Sequence, residues 1–130
     1  MPTFGNHSMR TTIIATIASL ALLAGAGHQA RAHAMLDHAK PGVNKTVHKS
    51  PHEIDLWFTE DVEPGFTGAI VRDINAKRVD IGKAYVDRTD HTLLRVQVKP
   101  LKPGKYDVHW HALSVDSHHT QGDFLFYVAK

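Results

Sequence analysis

Cysteine is absent from the 130 residues. That absence excludes disulfide frameworks, thiolate zinc sites, iron–sulfur clusters, thiol nucleophiles and blue-copper centres, all of which need a Cys sulfur. A membrane-length apolar run is also missing. The longest, Ile13 to Ala24, is twelve residues, where a spanning helix needs roughly 20. Charge of one sign is scarce: Arg10 and Arg31 account for the whole formal excess of +2, and 13 basic residues face 13 acidic ones beyond them. Basic and acidic residues alternate without blocks, which argues against nucleic acid or a membrane surface as partner. Methionine is rare as well, and Met35 is the only one after residue 32.

What the N-terminal segment does contain is the layout of an export signal. Arg10 supplies a positive start, the twelve-residue apolar run follows, and small and polar residues lead to an A-x-A site. Two such sites overlap, Ala30-Arg31-Ala32 and Ala32-His33-Ala34. The first cut would make His33 the new N-terminus; the second would begin the chain at Met35. The expected division is a removed signal peptide over 1–32 and one domain over 33–130. Those 98 residues allow one modest core.

The domain reads as short strands separated by turns. "EIDLWF" alternates, with Ile54, Leu56 and Phe58 on one face, and "AIVRD", "AYV", "LLRVQV", "YDVHWHA" and "DFLFYV" behave alike. Pro41-Gly42, Ser50-Pro51, Pro64-Gly65, Asn75-Ala76 and Pro103-Gly104 punctuate them. No segment keeps a 3.6-residue apolar period over three turns. The expectation is an all-β fold, a small Greek-key sandwich or barrel. Within "YDVHWHA", Tyr106, Val108, Trp110 and Ala112 share a face, which makes Trp110 the central core aromatic and turns His109 and His111 outward. Trp57, Phe124, Phe126 and Tyr127 read as core and sheet packing.

Histidine is abundant, with nine of eleven in the domain. His38, His48, His52 and His91 fall in polar, turn-rich sequence and read as solvated, as does His119 beside His118. Asp116 and His118 are two apart, so in extended backbone they leave one face. A carboxylate beside an imidazole can bind metal or pass a proton, although D-x-H alone also describes a solvated loop. His33, if made N-terminal, places a free amine next to its own ring. Glu60 continues the even spacing of Ile54, Leu56 and Phe58 to the rim of the core.

From His33 onward the chain resembles the CopC family of periplasmic copper-resistance proteins. The resemblance rests on His33 at the cut site, "DHAKPGVNKTV", "LWFTEDVEPGFTG" and "LKPGKYDVHWHALSVDSHHTQGDFLFYV". It implies a cupredoxin-like or immunoglobulin-like β-sandwich in the periplasm that holds one Cu(II) in a histidine brace. His33 would bind through its amine and Nδ1, with Asp116 and His118 as further ligands and Glu60 at or just beyond the ligand shell. It also implies a separate inner-membrane transporter of the CopD type as partner. A methionine-rich Cu(I) loop found in some members has no counterpart, since Asp73 to His91 contains no Met. The function expected is a monomeric copper carrier or buffer and not an enzyme. Three other readings stand beside it: a copper-dependent oxidative enzyme of the histidine-brace type, a structural sandwich without specific metal, and Zn(II) or Ni(II) in place of copper. The Irving–Williams order favours Cu(II) among those ions.

Overall fold

The alternation in "EIDLWF" is what builds β3. In the computed structural model, which describes residues 33–130, Ile54 and Leu56 are fully buried and Phe58 nearly so, while Glu53, Asp55 and Trp57 face outward. The expected leader over 1–32 lies outside the described residues. Eight strands follow in order: β1 (Leu36–Lys40), β2 (Thr46–Val47), β3 (Glu53–Phe58), β4 (Gly68–Asp73), β5 (Tyr85–Val86), β6 (Leu93–Gln97), β7 (Gly104–Leu113) and β8 (His119–Val128). A 3-10 turn at Pro64–Phe66 is placed by proline at its start.

The strands form two four-stranded sheets, β1-β3-β6-β5 and β2-β8-β7-β4. Every pairing is antiparallel except β2 with β8. The chain changes sheet after β1, β2, β3, β4 and β6, so sequence neighbours are often not spatial neighbours. The two sheets are open, which settles the fold as an all-β sandwich and not a closed barrel.

The core lies between the inner faces. Trp110 on β7 meets Phe58 on β3 edge-on at 5.3 Å, an aromatic contact that joins the two sheets. Tyr106 stacks on Phe126 at 5.3 Å, and its hydroxyl donates to the Lys102 carbonyl at 2.6 Å. Trp110 is therefore central, as its strand parity predicts. Gly122 pairs with Trp110 across the hairpin, and a Cβ there would stand 2.7 Å from the indole Cζ2. No other residue type leaves room for the ring.

Two strands escape the sequence reading. β1 is an edge strand with an irregularity between Leu36 and His38, so its apolar alternation is broken. His38 consequently lies in a strand and not in a turn. It remains exposed, with its ring stacked on Trp57 at 4.5 Å and 9° and its Nδ1 beside Asp37 at 2.8 Å. β2 is only two residues, too short to show a period.

Candidate metal centre

One end of the sandwich is closed by the residues before β1 and by the connection from β7 to β8. Ala34 is fully buried and anchors the first of these. The Thr120 hydroxyl donates to the Ala34 carbonyl at 2.6 Å. The Thr59 hydroxyl donates to the His33 carbonyl at 3.1 Å and accepts the Met35 amide at 3.0 Å. The Thr59 amide in turn donates to the Met35 carbonyl at 2.9 Å. With Ala34 inward, His33 is carried to the outside of this arm, where its ring meets that of His118 at 4.2 Å and 47°.

The β7–β8 connection holds Asp116 and His118 differently from the extended segment expected. Pairing ends at Leu113 with His119, and the residues between form a tight turn. The Ser114 amide donates to the His118 carbonyl at 3.0 Å, and the Ser117 amide to the Ser114 carbonyl at 2.9 Å. Ser117 takes the left-handed backbone, φ 71°. Asp116 and His118 come together because the chain turns back on itself, not through strand alternation. Ser114 is fully buried beneath them; its hydroxyl donates to Asp116 Oδ1 and accepts the His118 amide at 3.3 Å.

One donor atom each from His33, Asp116 and His118 lies within 4.8 Å of the others. His118 Nδ1 is 3.0 Å from Asp116 Oδ1, an ion-pair distance. His33 Nδ1 and His118 Nδ1 are both buried without a hydrogen-bond partner. The Ser114 hydroxyl, and after it the His118 imidazole, hold the Asp116 carboxyl below its ordinary value, outweighing desolvation. The site thus offers an ionised carboxylate and two buried imidazole nitrogens, that of His118 facing Asp116 and that of His33 without a hydrogen-bond partner. Glu60 follows β3 with Oε1 buried and likewise unpartnered, but it stands outside the three-residue cluster.

A second grouping was not foreseen. On the outer face of the β7 sheet, His109 lies between Asp123, which hydrogen-bonds its Nδ1, and Asp107, 3.3 Å from its Nε2. Each ring nitrogen faces its own carboxylate. That is an imidazole held between two carboxylates, the second cluster of possible metal donors among the described residues. His111, also outward as expected, lies over Gly68, where a Cβ would come within 3.0 Å of its ring. An open groove of about 790 Å³ runs over this face past His109, His111, Arg78 and Lys83. None of His33, Asp116 and His118 lines it, and a few donors around one ion need no such volume. His48, His52, His91 and His119 are exposed.

Thr59 and Thr120 were missed by sequence reasoning, and Ser114 was not read as an orienting group. Their hydroxyls act across 26, 86 and two positions respectively, and only the last leaves a local trace, an S-x-D-x-H pattern.

Fold and site together define an all-β sandwich with an imidazole–carboxylate donor set at one end. The CopC domain family matches residues 36–129. Protein YobA of Escherichia coli K12 is 40% identical over 98 residues, covering 75% of this chain and 79% of that protein. Copper resistance protein C of Xanthomonas campestris pv. juglandis is 31% identical over 131 residues, 96% of this chain and 98% of that one. The crystal structure of CopC from Methylosinus trichosporium OB3b superposes with a TM-score of 0.70 at 29% identity, covering 75% of this chain and 94% of that one. The chain belongs to the CopC family of copper-resistance proteins. No helix of the described residues is long and apolar enough to cross a membrane.

Proposed function

We propose that this chain is a periplasmic Cu(II) carrier, exported by residues 1–32 and loaded with one Cu(II) as a monomer once cleavage after Ala32 frees the His33 amine. The amine and Nδ1 of His33 would form one chelate ring, the His118 imidazole would add a third nitrogen, and Asp116 an oxygen. Cu(II) prefers this tetragonal N,O environment. Before cleavage the His33 nitrogen is an amide without an available lone pair, so the precursor lacks one of four donors.

The observation that carries the reading is the gathering of one donor atom each from His33, Asp116 and His118 within 4.8 Å, with His118 Nδ1 3.0 Å from Asp116 Oδ1. Two donors each about 2.0–2.1 Å from one metal, at right angles, lie about 2.9 Å apart. The spacing is that of neighbouring corners of a coordination square. Glu60, next to Thr59 and with its Oε1 buried and unpartnered, would offset remaining positive charge or hold a water. Four protein donors leave little room for a substrate, which suits storage and transfer. Delivery to a separate CopD-type membrane transporter is the corresponding partner reading, and the name of the copper-resistance relative supports that setting.

The test is intact mass of the exported protein, followed by Cu(II) titration of chains that begin at Ala32, His33 and Met35. High affinity with one equivalent is expected only for the chain beginning at His33, and His33→Ala and Asp116→Ala should each abolish it. Equal affinity in all three chains refutes the amine's role.

A further inference from the structure

We propose that Ser114 is a positioning residue of this site, whose buried hydroxyl fixes the Asp116 carboxylate against His118 and His33 before any metal arrives. The inference rests on the reading of His33, Asp116 and His118 as the copper ligands and goes one layer behind them.

Ser114 is one of two polar residues buried among the described residues, the other being Thr67. A hydroxyl removed from water needs partners, and those of Ser114 lie inside its own turn. Its backbone already closes that turn, through its amide to the His118 carbonyl at 3.0 Å and its carbonyl from the Ser117 amide at 2.9 Å. The side chain is not required for closure. It faces the ligand-bearing residues: it donates to Asp116 Oδ1, with the His118 carbonyl a second acceptor at 3.3 Å, and accepts the His118 amide at 3.3 Å. Thr67 supports the same turn from its other side, its hydroxyl accepting the Leu113 amide at 3.2 Å.

The consequence is geometric. The Asp116 side chain is 41% exposed, and an aspartate in water samples several rotamers. A donor fixed in the core beneath it selects one. A carboxylate oxygen has two lone pairs; the hydroxyl takes one at Oδ1 and leaves the other for an ion on the side of His118 Nδ1. Asp116 then binds through a single oxygen whose direction is set by the protein. Outer partners that orient ligands in this way commonly change metal affinity 10- to 100-fold when removed.

The experiment uses the exported chain beginning at His33, loaded with one Cu(II). Ser114→Ala keeps both backbone bonds of the turn and should lower Cu(II) affinity by about 10- to 100-fold, with a changed electron paramagnetic resonance spectrum. Ser114→Thr, which keeps the hydroxyl, should restore both. Wild-type affinity and spectrum in Ser114→Ala overturn the inference. So does a loss that follows only a lowered unfolding temperature of the copper-free protein and is not rescued by threonine. Should Ser114→Ala fail to fold, side-chain couplings of Asp116 in the copper-free wild type decide: one rotamer supports the inference and averaging overturns it. Failure of the wild type to bind Cu(II), or unchanged binding by His33→Ala, refutes the ligand assignment instead.

Discussion

The hydroxyl of Thr59 donates to the carbonyl of His33 and accepts the amide of Met35, so one side chain just after β3 grips the chain on both sides of Ala34. Thr59→Val keeps the shape and removes the grip. Cu(II) affinity should fall about tenfold, as for other groups that orient a ligand without touching the metal. Because two hydrogen bonds at an exposed residue are involved, unfolding should shift by only about 1–2 kcal/mol. Competition titration and denaturant melts of the two proteins check the pair of values. A large stability loss with unchanged affinity would assign Thr59 to the fold alone.

Copper affinity should fall as pH drops from 8 to 5. An α-amine ordinarily titrates at about 7.7–8.0, and the metal can bind only after it loses its proton. Asp116 does not contribute over this range, since its carboxyl is held below its ordinary value and stays charged. The amine alone gives about tenfold per pH unit below its value, and the two imidazole ligands, which must also bind without a proton, steepen the fall. A chromophoric chelator in competition reads the slope. A flat profile removes the amine from the ligand set.

Acid should expose a separate weakness, at a carboxylate outside the proposed donor set. Hydrogen bonds from the Thr89 hydroxyl, then the Thr89 and Asp90 amides, lower Asp87 to about 2, with Arg95 also assisting. A carboxyl whose folded value lies below its unfolded one stabilises the protein above the unfolded value, about 3.9. That contribution is lost as pH falls from about 4 to about 2. Denaturant melts should show wild type more stable than Asp87→Asn by a constant margin above pH 5, with the margin shrinking below pH 4. A margin independent of pH would mean the charge plays no part.

Gly122→Ala should destabilise by about 1–3 kcal/mol, the usual cost of overpacking, because the new methyl would lie 2.7 Å from Trp110 Cζ2 and 2.9 Å from Cε2. Gly65→Ala meets nothing within 4 Å and should stay within about 0.5 kcal/mol of wild type. The two melts together separate lost space from lost backbone freedom. Equal effects would refute the packing argument.

How much of this was legible in the sequence follows from the range of each interaction. Strands buried on one face carry their own record, which is why β3, β6 and the parity of β7 could be read, with Trp110 inward and His109 and His111 outward. β1 left no such record because it is a polar edge interrupted by a bulge. The pairing of Asp116 and His118 was visible as spacing, but the turn that joins them was not, since a left-handed Ser117 has no composition signal. Thr120 and Ala34 are 86 positions apart; contacts of that length exist only once the sheets have packed. The carboxylates flanking His109 come from the same strand and the next one over, a ladder relation that follows from the β7–β8 register alone.

The depth at which Ala34 sits has a practical side. Its side chain is sealed in the core and its carbonyl is tied to Thr120, so the segment around it is a structural part of the fold. On the proposed ligand set, a purification handle fused ahead of His33 would block its amine, whereas Lys130 is exposed and beyond the last strand. Handles belong at that end, and any histidine tag there should be cleaved before copper is counted.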